Sequence, residues 1–333
     1  MKAKLVSQTR HERLVLGKHI PLTTPFVVYI EPSGYCNLKC AFCPQTSGDK
    51  AFKRDFMSLE LLKKLIDDLS EFPDKIKVLR VCGNGEPLMS KNIVGILQYA
   101  KEKKLIERIE LISNGTLLNP DLIKNLPRFA DRIIFSIEGL SAQEYKRISN
   151  VKIDFEKLLK NIRALHAGSG DCIIHVKIHH QAVPSKSKKR KFLDLFGDSC
   201  DEIYIEKLVS MWPEFDGPYS SSEFRYGGKV VKRQVCAQMF KGFQIQADGQ
   251  VVPCCVDWRR INIIGDANKS SLLEIWNGKK LRGLQIAHLM GSKDKIEPCK
   301  QCTMNDYCEL DNIDQYAEKI IERLKNIKTF PRD

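Results

Sequence analysis

GYCNLKCAFCP, residues 34–44, follows the apolar run Phe26–Glu31, which has the length of a buried strand. The stretch contains three cysteines within eight residues, Cys36, Cys40 and Cys43. A tetrahedral structural zinc ion, or a [4Fe-4S] cluster with one thiolate on each iron, needs four protein ligands. Three thiols therefore leave one coordination position open. A zinc knuckle or a structural thiol cluster is the alternative that this stretch leaves open.

The composition is that of a globular chain with a surplus of positive charge. Its 333 residues are 43% hydrophobic and 29% charged, which is enough for one large domain and a smaller one. The formal net charge of +13 would draw anions towards a cleft. The densest basic run, Lys186–Lys191, follows Pro184 and begins a helix-like segment, so we interpret it as a solvated helix face. No RNA-binding signature accompanies this run, and we predict no nucleic-acid partner.

The cysteines indicate metal ligation in a reducing compartment. Twelve are present, several of them at short spacings, and no basic-then-apolar leader opens the chain. No apolar run approaches the roughly 18 residues that cross a bilayer. We therefore expect a cytoplasmic protein without a membrane partner.

Strands and helices alternate between residues 26 and 207. In chain order, the periodicity predicts strand Phe26–Glu31, helix Ser58–Phe72, strand Ile76–Cys82, helix Asn92–Lys104, strand Glu107–Ile112, a short helix from Asn119, strand Arg132–Glu138, helices within Ser141–Ala167, strand Cys172–Ala182, helix Lys188–Phe196 and strand Glu202–Ile205. These six units predict an α/β fold with parallel strands and right-handed crossovers.

Polar residues share one face of two of these strands. Ser136 and Glu138 lie on the same face of the fourth strand, and His175, Lys177 and His179 on the same face of the fifth. Polar side chains on a strand covered by helices need water, a ligand or each other. We expect this face to line the interior of the fold. An exposed edge strand is the alternative for the fifth strand.

The cysteine spacing, with Phe42 directly before the last thiol, resembles the motif of the radical S-adenosylmethionine (radical SAM) family. The resemblance implies a partial (β/α)6 barrel in which Cys36, Cys40 and Cys43 hold a [4Fe-4S] cluster. The open iron would bind SAM, with Phe42 near the adenine. Reductive cleavage would then release a 5'-deoxyadenosyl radical, which removes hydrogen from unactivated carbon. The implied electron donor is a protein such as flavodoxin or ferredoxin.

Three turns that follow predicted strands resemble further motifs of this family. Gly83–Pro87 resembles the Gly-Gly-Glu-Pro turn whose backbone receives the SAM amino group, with asparagine in place of the first glycine. Residues 113–116 resemble the ribose-contacting turn, and Ser136–Gly139 resembles a Ser-hydrophobic-Asp-Gly motif with glutamate as the acid. The cofactor-binding residues that these turns imply are Asn84, Gly85, Glu86, Ser113, Asn114 and Ser136.

The chain changes character after Lys207. Residues 208–235 have the composition of a linker or a covering loop. Beyond them, Asp248-Gly249 predicts a tight turn between two short strands, Phe243–Gln246 and Val251–Cys254. This hairpin would place Cys254 near the cysteine at position 236. A later Cys-x-x-Cys pair can then complete four ligands, for which a zinc site is the alternative to a cluster.

These cysteines, together with the helix Leu272–Trp276, resemble the SPASM/Twitch extensions behind many radical SAM barrels. A full SPASM domain binds two auxiliary [4Fe-4S] clusters, but position 312 is Asn and no cysteine follows Cys308. The resemblance therefore implies one auxiliary cluster, as in the Twitch domains of aminocyclitol dehydrogenases. Cys255 adjoins Cys254 and is an alternative ligand. The implied ligands are Cys236, Cys254, Cys299 and Cys302.

We predict the following division of the chain: a lead-in over residues 1–25, the barrel over 26–207, a linker over 208–235, the auxiliary cluster domain over 236–310 and a packing helix within 311–333.

The reaction that this combination suggests is oxidation of a small polar substrate, such as a sugar, an aminocyclitol or a nucleotide-linked sugar. The radical would take hydrogen from a carbinol carbon, Glu138 or His179 would remove the hydroxyl proton, and the auxiliary cluster would accept the electron. A second hypothesis is epimerisation, with Cys308 returning hydrogen to the substrate radical. A third is modification of a peptide or protein, although 25 residues before the barrel cannot supply a peptide-recognition domain.

Overall fold

The computed structural model describes residues 2–6, 14–49, 52–209 and 223–325. Within these ranges a single sheet contains ten strands. The strands are β1 Lys4–Leu5, β2 Val27–Ile30, β3 Ile76–Val81, β4 Ile106–Ser113, β5 Arg132–Ile137, β6 Ile173–His179, β7 Glu202–Glu206, β8 Gly242–Ile245, β9 Gln250–Val252 and β10 Gly265–Asp266. The helices are α1 Leu59–Asp68, α2 Ile93–Lys103, α3 Pro120–Phe129, α4 Ala142–Ser149, α5 Phe155–Ala167, α6 Lys186–Phe196, α7 Leu272–Trp276, α8 Lys279–Leu289, α9 Met304–Tyr307 and α10 Ala317–Lys325.

Strands β2 to β7 lie side by side in chain order and run parallel to one another. At least one of the helices α1 to α6 lies in each connection between them. The six alternating units and the α/β fold are thus confirmed. Two predicted elements end earlier than expected. α1 ends at Asp68 rather than at Phe72, and β6 ends at His179 rather than at Ala182, each followed by three residues in a 3-10 turn.

Two further strands extend this sheet. β1, in the lead-in, pairs in parallel with β7, and the Lys4 amide donates to the Asp201 carbonyl at 2.8 Å. On the other side, β8 pairs in parallel with β2. The first residue of β8, Gly242, has to be glycine because a Cβ there would lie 1.8 Å from the Val27 carbonyl oxygen. The first strand of the C-terminal hairpin is therefore part of the barrel sheet.

The hairpin itself forms at the predicted turn. Gly249 has a φ of 88°, and its amide donates to the Gln246 carbonyl at 2.9 Å. β9 ends at Val252, so Cys254 lies just beyond the strand rather than within it. β10 then pairs antiparallel with β9. This arrangement places the cysteine at the end of a strand that is anchored to the barrel.

The inner face of the barrel carries buried ion pairs. Arg80 contacts Glu110 at 2.5 Å, and Arg132 contacts both Glu110, at 3.9 Å, and Glu202. β6 lies between β5 and β7, and His175 and Lys177 are only 0% and 7% exposed. The edge-strand alternative for β6 is therefore wrong, because its polar residues pair with other side chains of the inner face.

The remaining predicted helices are also present. α6 begins at the basic run, where Ser185 accepts a hydrogen bond from the Lys188 amide at 3.2 Å, and Lys189 and Arg190 are exposed, as a solvated helix face requires. α10 packs against α8 and buries Ile320 and Leu324. Within the described ranges, every helix is too short or too polar to cross a bilayer. Parts of the predicted lead-in and last helix, and residues 210–222 of the linker, lie outside the described residues.

Candidate active site and auxiliary centre

The three-cysteine loop connects β2 with α1 at the carboxyl ends of the strands. It is fixed to the end of α4, because the Lys39 amide donates to the Ser149 carbonyl at 2.9 Å. Burial raises the pKa of Cys36 to about 12 and that of Cys43 to about 11. Burial also raises the pKa of Cys40, and the Glu138 carboxylate and the two neighbouring thiols raise it further. Buried thiols in a negative environment become thiolates when a cation binds them, so this donor set fits an iron–sulfur cluster.

The turn Gly83–Pro87 lies directly against this loop. Its Asn84 carbonyl accepts a hydrogen bond from Gln45 Nε2 at 2.6 Å, and the Glu86 amide donates to the Tyr35 carbonyl at 2.7 Å. A Cβ on Gly85 would lie 2.0 Å from the Ser33 carbonyl oxygen, so only glycine fits there. The cysteine loop and the turn that resembles the SAM amino-group site are therefore held in one arrangement.

Glu86 brings the next two candidate residues together. Its Oε1 accepts a hydrogen bond from Ser113 Oγ at 2.6 Å, and its Oε2 accepts one from the Asn114 amide at 2.8 Å. The Asn114 side chain donates to Asn37 Oδ1 at 2.9 Å. The carboxylate of Glu86 is thus used within the protein, where it fixes the end of β4 beside the turn.

Glu138 and His179 form a pair at the ends of β5 and β6. Glu138 Oε2 and His179 Nε2 are 3.5 Å apart, and the Phe42 ring meets the imidazole edge-on at a centroid distance of 5.2 Å. Within the described residues, Glu138 Oε2 and both nitrogens of His179 are buried without a hydrogen-bond partner. Burial raises the pKa of Glu138 to about 7 and lowers that of His179 to about 4. Ser136, two residues before Glu138, is half-buried on the same face.

A buried charged cluster lies beside this pair. Lys177 Nζ and Arg225 Nη2 each contact Glu206 Oε1 at 3.0 Å. The Arg225 amide donates to the Tyr307 carbonyl at 2.8 Å, next to Cys308. Burial raises the pKa of Cys308 to about 11, although the charge of Arg225 and a hydrogen bond from it act in the opposite direction. Cys308 therefore belongs to the charged interior of the barrel.

The second set of cysteines lines a recess behind the barrel. Its thiols are Cys236, Cys254, Cys299 and Cys302. Burial and the other cysteines raise the pKa of Cys254 well above its ordinary value. In the described part of the chain, no three His, Cys, Asp or Glu side chains are close enough to hold a single metal ion. Four thiols nevertheless line one recess, and four thiols are the donor set of a fully ligated iron–sulfur cluster.

The two extra cysteines of this region lie outside the recess. Neither Cys255 nor Cys308 lines it. Cys255 instead faces the inner side of the barrel, where the positive charges of Arg225 and Arg80 act on its thiol. Cys254 rather than its neighbour is thus the geometrically suitable ligand.

The structure adds residues that sequence reasoning missed. Asn37 Nδ2 donates to Thr116 Oγ1 at 2.7 Å, and Glu31 Oε2 accepts from the Asn84 amide at 2.5 Å. Gln45 connects the loop with the turn, as described above. The available signal was position: Asn37 lies inside the cysteine motif, and Glu31 directly follows a strand that enters it.

Comparison with known proteins agrees with this geometry. A radical SAM superfamily model matches residues 30–181, and a SPASM model, described as an iron-sulfur cluster-binding domain, matches residues 236–303. A tungsten-containing aldehyde ferredoxin oxidoreductase cofactor-modifying protein of Pyrococcus furiosus is 23% identical over 328 residues, which cover 85% of this chain and 88% of that protein.

Solved structures share the fold. BtrN in complex with AdoMet and 2-DOIA has a TM-score of 0.58 at 18% identity, over 88% of this chain and 97% of BtrN. Streptococcus suis SuiB bound to precursor peptide SuiA has a TM-score of 0.59 at 16% identity, over 89% of this chain and 73% of SuiB. With both family models matching in this order, the chain belongs to the radical SAM superfamily, with a [4Fe-4S] cluster and SAM as the cofactors of its barrel and a SPASM-type iron–sulfur domain behind it.

Proposed function

We propose that this protein is a cytoplasmic radical SAM oxidoreductase that removes two hydrogens from a small polar alcohol, such as a sugar, an aminocyclitol or a nucleotide-linked sugar. The observation that carries the proposal is the buried Glu138–His179 pair next to the three-cysteine loop, in which Glu138 Oε2 and both nitrogens of His179 lack hydrogen-bond partners in the described residues. An electron donor such as flavodoxin or ferredoxin would reduce the first cluster.

The cofactors supply the radical chemistry, and the chain supplies position. Cys36, Cys40 and Cys43 would hold the cluster that, once reduced, generates a hydrogen-abstracting 5'-deoxyadenosyl radical from SAM. The turn Gly83–Pro87 and the end of β4 would hold SAM beside that cluster. Phe42 contacts His179, so the expected adenine site lies next to the expected proton acceptor.

Glu138 and His179 are suited to removing the hydroxyl proton of a substrate. Burial lowers the pKa of His179 to about 4, so its imidazole is neutral at pH 7 and able to accept a proton. Burial raises the pKa of Glu138 to about 7, which is close to the operating pH of a general base. Glu138 Oε2 and His179 Nε2 lie 3.5 Å apart, so a hydroxyl group that reaches one of them is also close to the other.

The charged cluster supports a polar substrate. Lys177, Glu206 and Arg225 lie at the inner side of the barrel near Glu138, whose pKa responds to both Lys177 and Glu206. Lys177 and Arg225 are already paired with Glu206, and an interior that carries such buried charges favours a substrate with hydroxyl groups over a lipid chain. At the identities found, similarity to BtrN and SuiB shows the fold alone, so this part of the proposal rests on Lys177, Glu206 and Arg225.

The auxiliary site supports net oxidation. Four thiols can hold a fully ligated cluster, which is able to accept one electron from a substrate radical. Together with loss of the hydroxyl proton to Glu138 or His179, this gives a carbonyl product from an alcohol. A pocket without a second redox centre would require a different electron acceptor.

The experiment is anaerobic reconstitution with iron and sulfide, followed by SAM, dithionite and a panel of sugars, aminocyclitols and nucleotide sugars. We expect deoxyadenosine formation that depends on one class of compound, with a product two mass units lighter, and neither product in a Cys40→Ala control. Compound-dependent deoxyadenosine without an oxidised product would overturn the proposal.

Epimerisation is the second candidate, and the position of Cys308 favours it. This thiol lies in the charged interior beside Arg225 rather than at the auxiliary recess, which supports a role in giving hydrogen to a substrate radical. Turnover in deuterated water separates the two reactions. Solvent deuterium on the product carbon, lost in Cys308→Ala, indicates the epimerase; an oxidised product without solvent label indicates the dehydrogenase.

A further inference from the structure

We infer that Glu31 and Arg260 connect the auxiliary cluster region with the turn Gly83–Pro87, so that the region behind the barrel positions the SAM site. The inference rests on the proposed role of this turn in binding the SAM amino group. Both residues act through their neighbours, and we regard them as positioning residues. Neither is implied by the motifs of the sequence.

Glu31 is the junction of the two regions. It follows β2 and is 1% exposed. Its Oε2 accepts from the Asn84 amide at 2.5 Å, and the Ala247 amide of the C-terminal hairpin also donates to its carboxylate. A Cβ on Gly83 would lie 2.4 Å from Glu31 Oε2, so the carboxylate is in direct contact with the turn. A single buried side chain therefore touches the SAM turn on one side and the hairpin on the other.

Arg260 supplies the positive charge next to this junction. Its Nη2 lies 4.0 Å from Glu31 Oε1, and its Nη1 lies 2.5 Å from Asp248 Oδ2 at the hairpin turn. The Arg260 side chain is 5% exposed, so salt in the solvent screens these charges only weakly. Burial raises the pKa of Glu31 to about 7, whereas the Asn84 amide and Arg260 act to lower it.

The segment that carries Arg260 also builds the wall of the auxiliary recess. Cys254, Asp257 and Asn262 all line the recess, on both sides of Arg260 in the chain. The Arg260 amide donates to the Asp257 carbonyl at 3.0 Å, and Asp257 accepts from the Asn262 amide at 2.7 Å. A short, hydrogen-bonded turn therefore connects Cys254 with Arg260 and, through Arg260, with Glu31.

The predicted consequence is a thermodynamic coupling between the two regions. If the Arg260 contact is needed for the orientation of the Glu31 carboxylate, its removal loosens the Asn84 amide and weakens SAM binding. Coupling is reciprocal, so SAM must also act on the hairpin. A purely structural contact would lower stability without linking the two sites.

The variants are chosen so that the backbone is preserved. Arg260 has a φ of 59°, a left-handed conformation that Asn adopts readily, so Arg260→Asn removes the guanidinium without adding strain. Arg260→Lys keeps the charge, and Glu31→Gln keeps the shape of the acceptor. Lys269→Gln is the matched control, because this exposed lysine pairs with Asp266 in the same domain and has no contact with Glu31.

The experiment measures SAM affinity of the reconstituted proteins by calorimetry, and amide hydrogen exchange with and without SAM. We expect Arg260→Asn and Glu31→Gln to weaken SAM binding about tenfold, Arg260→Lys to weaken it less, and the control to match the wild type. Hydrogen exchange at the Asn84 amide becomes faster in both Arg260→Asn and Glu31→Gln. SAM slows exchange over residues 246–250 in the wild type, and this effect disappears in Arg260→Asn.

Unchanged SAM affinity and unchanged exchange at Asn84 in a folded Arg260→Asn protein would overturn the inference. The inference also fails if the variant weakens SAM binding only in proportion to a lower melting temperature. Each variant is compared only if its iron and sulfide contents equal those of the wild type. SAM affinity and amide exchange do not involve turnover, so both can be interpreted even if the proposed oxidation is wrong. Conversely, a negative result for the coupling leaves the oxidation assay valid.

Discussion

The two groups of cysteines use the same ligand chemistry in different surroundings. The loop at Cys36, Cys40 and Cys43 offers three thiols and lies beside Glu138 and His179, whose buried polar atoms lack partners in the described residues. The recess behind the barrel offers four thiols, bordered largely by apolar and amide side chains. The number of thiol ligands and the neighbouring side chains together distinguish the two sites. The first leaves a coordination position for a reacting ligand, whereas the second can ligate a cluster completely.

The largest expected effect is at the open site. Replacing Cys40 by Ala removes one of its three thiols, so the first cluster is lost and deoxyadenosine formation falls to the level of a protein-free control. The auxiliary cluster should remain, with roughly four iron atoms per chain in place of roughly eight. Iron analysis and chromatography of the SAM products measure both. SAM cleavage retained in Cys40→Ala would contradict the assignment of the three-cysteine loop as the site of SAM cleavage.

The closed site can be tested with two adjacent cysteines. Cys254 lines the recess and Cys255 does not. We expect Cys254→Ala to lower the iron content from roughly eight to roughly four atoms per chain, while Cys255→Ala keeps both clusters. SAM cleavage should continue in Cys254→Ala, but oxidised product should disappear because its electron acceptor is missing. Equal iron loss in both variants would contradict the assignment of the ligands.

Smaller effects are expected at the proton acceptors. Removing a general base typically lowers the rate by roughly 10² to 10⁴. We expect Glu138→Gln or His179→Asn to reduce oxidised product within this range while iron content stays unchanged. His166→Asn, on the partly exposed face of α5, is the control for His179→Asn and should behave as the wild type. Full activity in both Glu138→Gln and His179→Asn would exclude this pair as the base.

The smallest effect is expected at Cys308 if the reaction is oxidation. The thiol lies beside Arg225 and makes no contribution to the recess, so Cys308→Ala should keep both clusters and the yield of oxidised product. Loss of product together with loss of solvent-derived deuterium would instead favour the epimerase. The two outcomes are read from one mass-spectrometric assay.

The sequence predicted what depends on local pattern. Alternating periodicity indicated the six strand–helix units, and the turns after β3, β4 and β5 were expected where they lie, since parallel strands end at one edge. The sequence only partly predicted that Cys254 lies at the recess and Cys308 in the barrel. The positions of these two cysteines depend on how the chain folds back on itself.

The features that sequence reasoning missed are long-range. β8 pairs with β2, and β1 pairs with β7, through backbone hydrogen bonds that leave no periodic signal in so few residues. The contact of Glu31 with Asn84 likewise joins a strand end to a distant turn. Such contacts depend on how the whole barrel assembles, so a local pattern cannot reveal them.

The most direct test of the central claim is the metal content and SAM reactivity of the oxygen-protected, reconstituted wild-type protein. The account predicts roughly eight iron and eight sulfide per chain and formation of deoxyadenosine when the protein is reduced in the presence of SAM. Zinc without sulfide, or intact clusters that never cleave SAM, would contradict it.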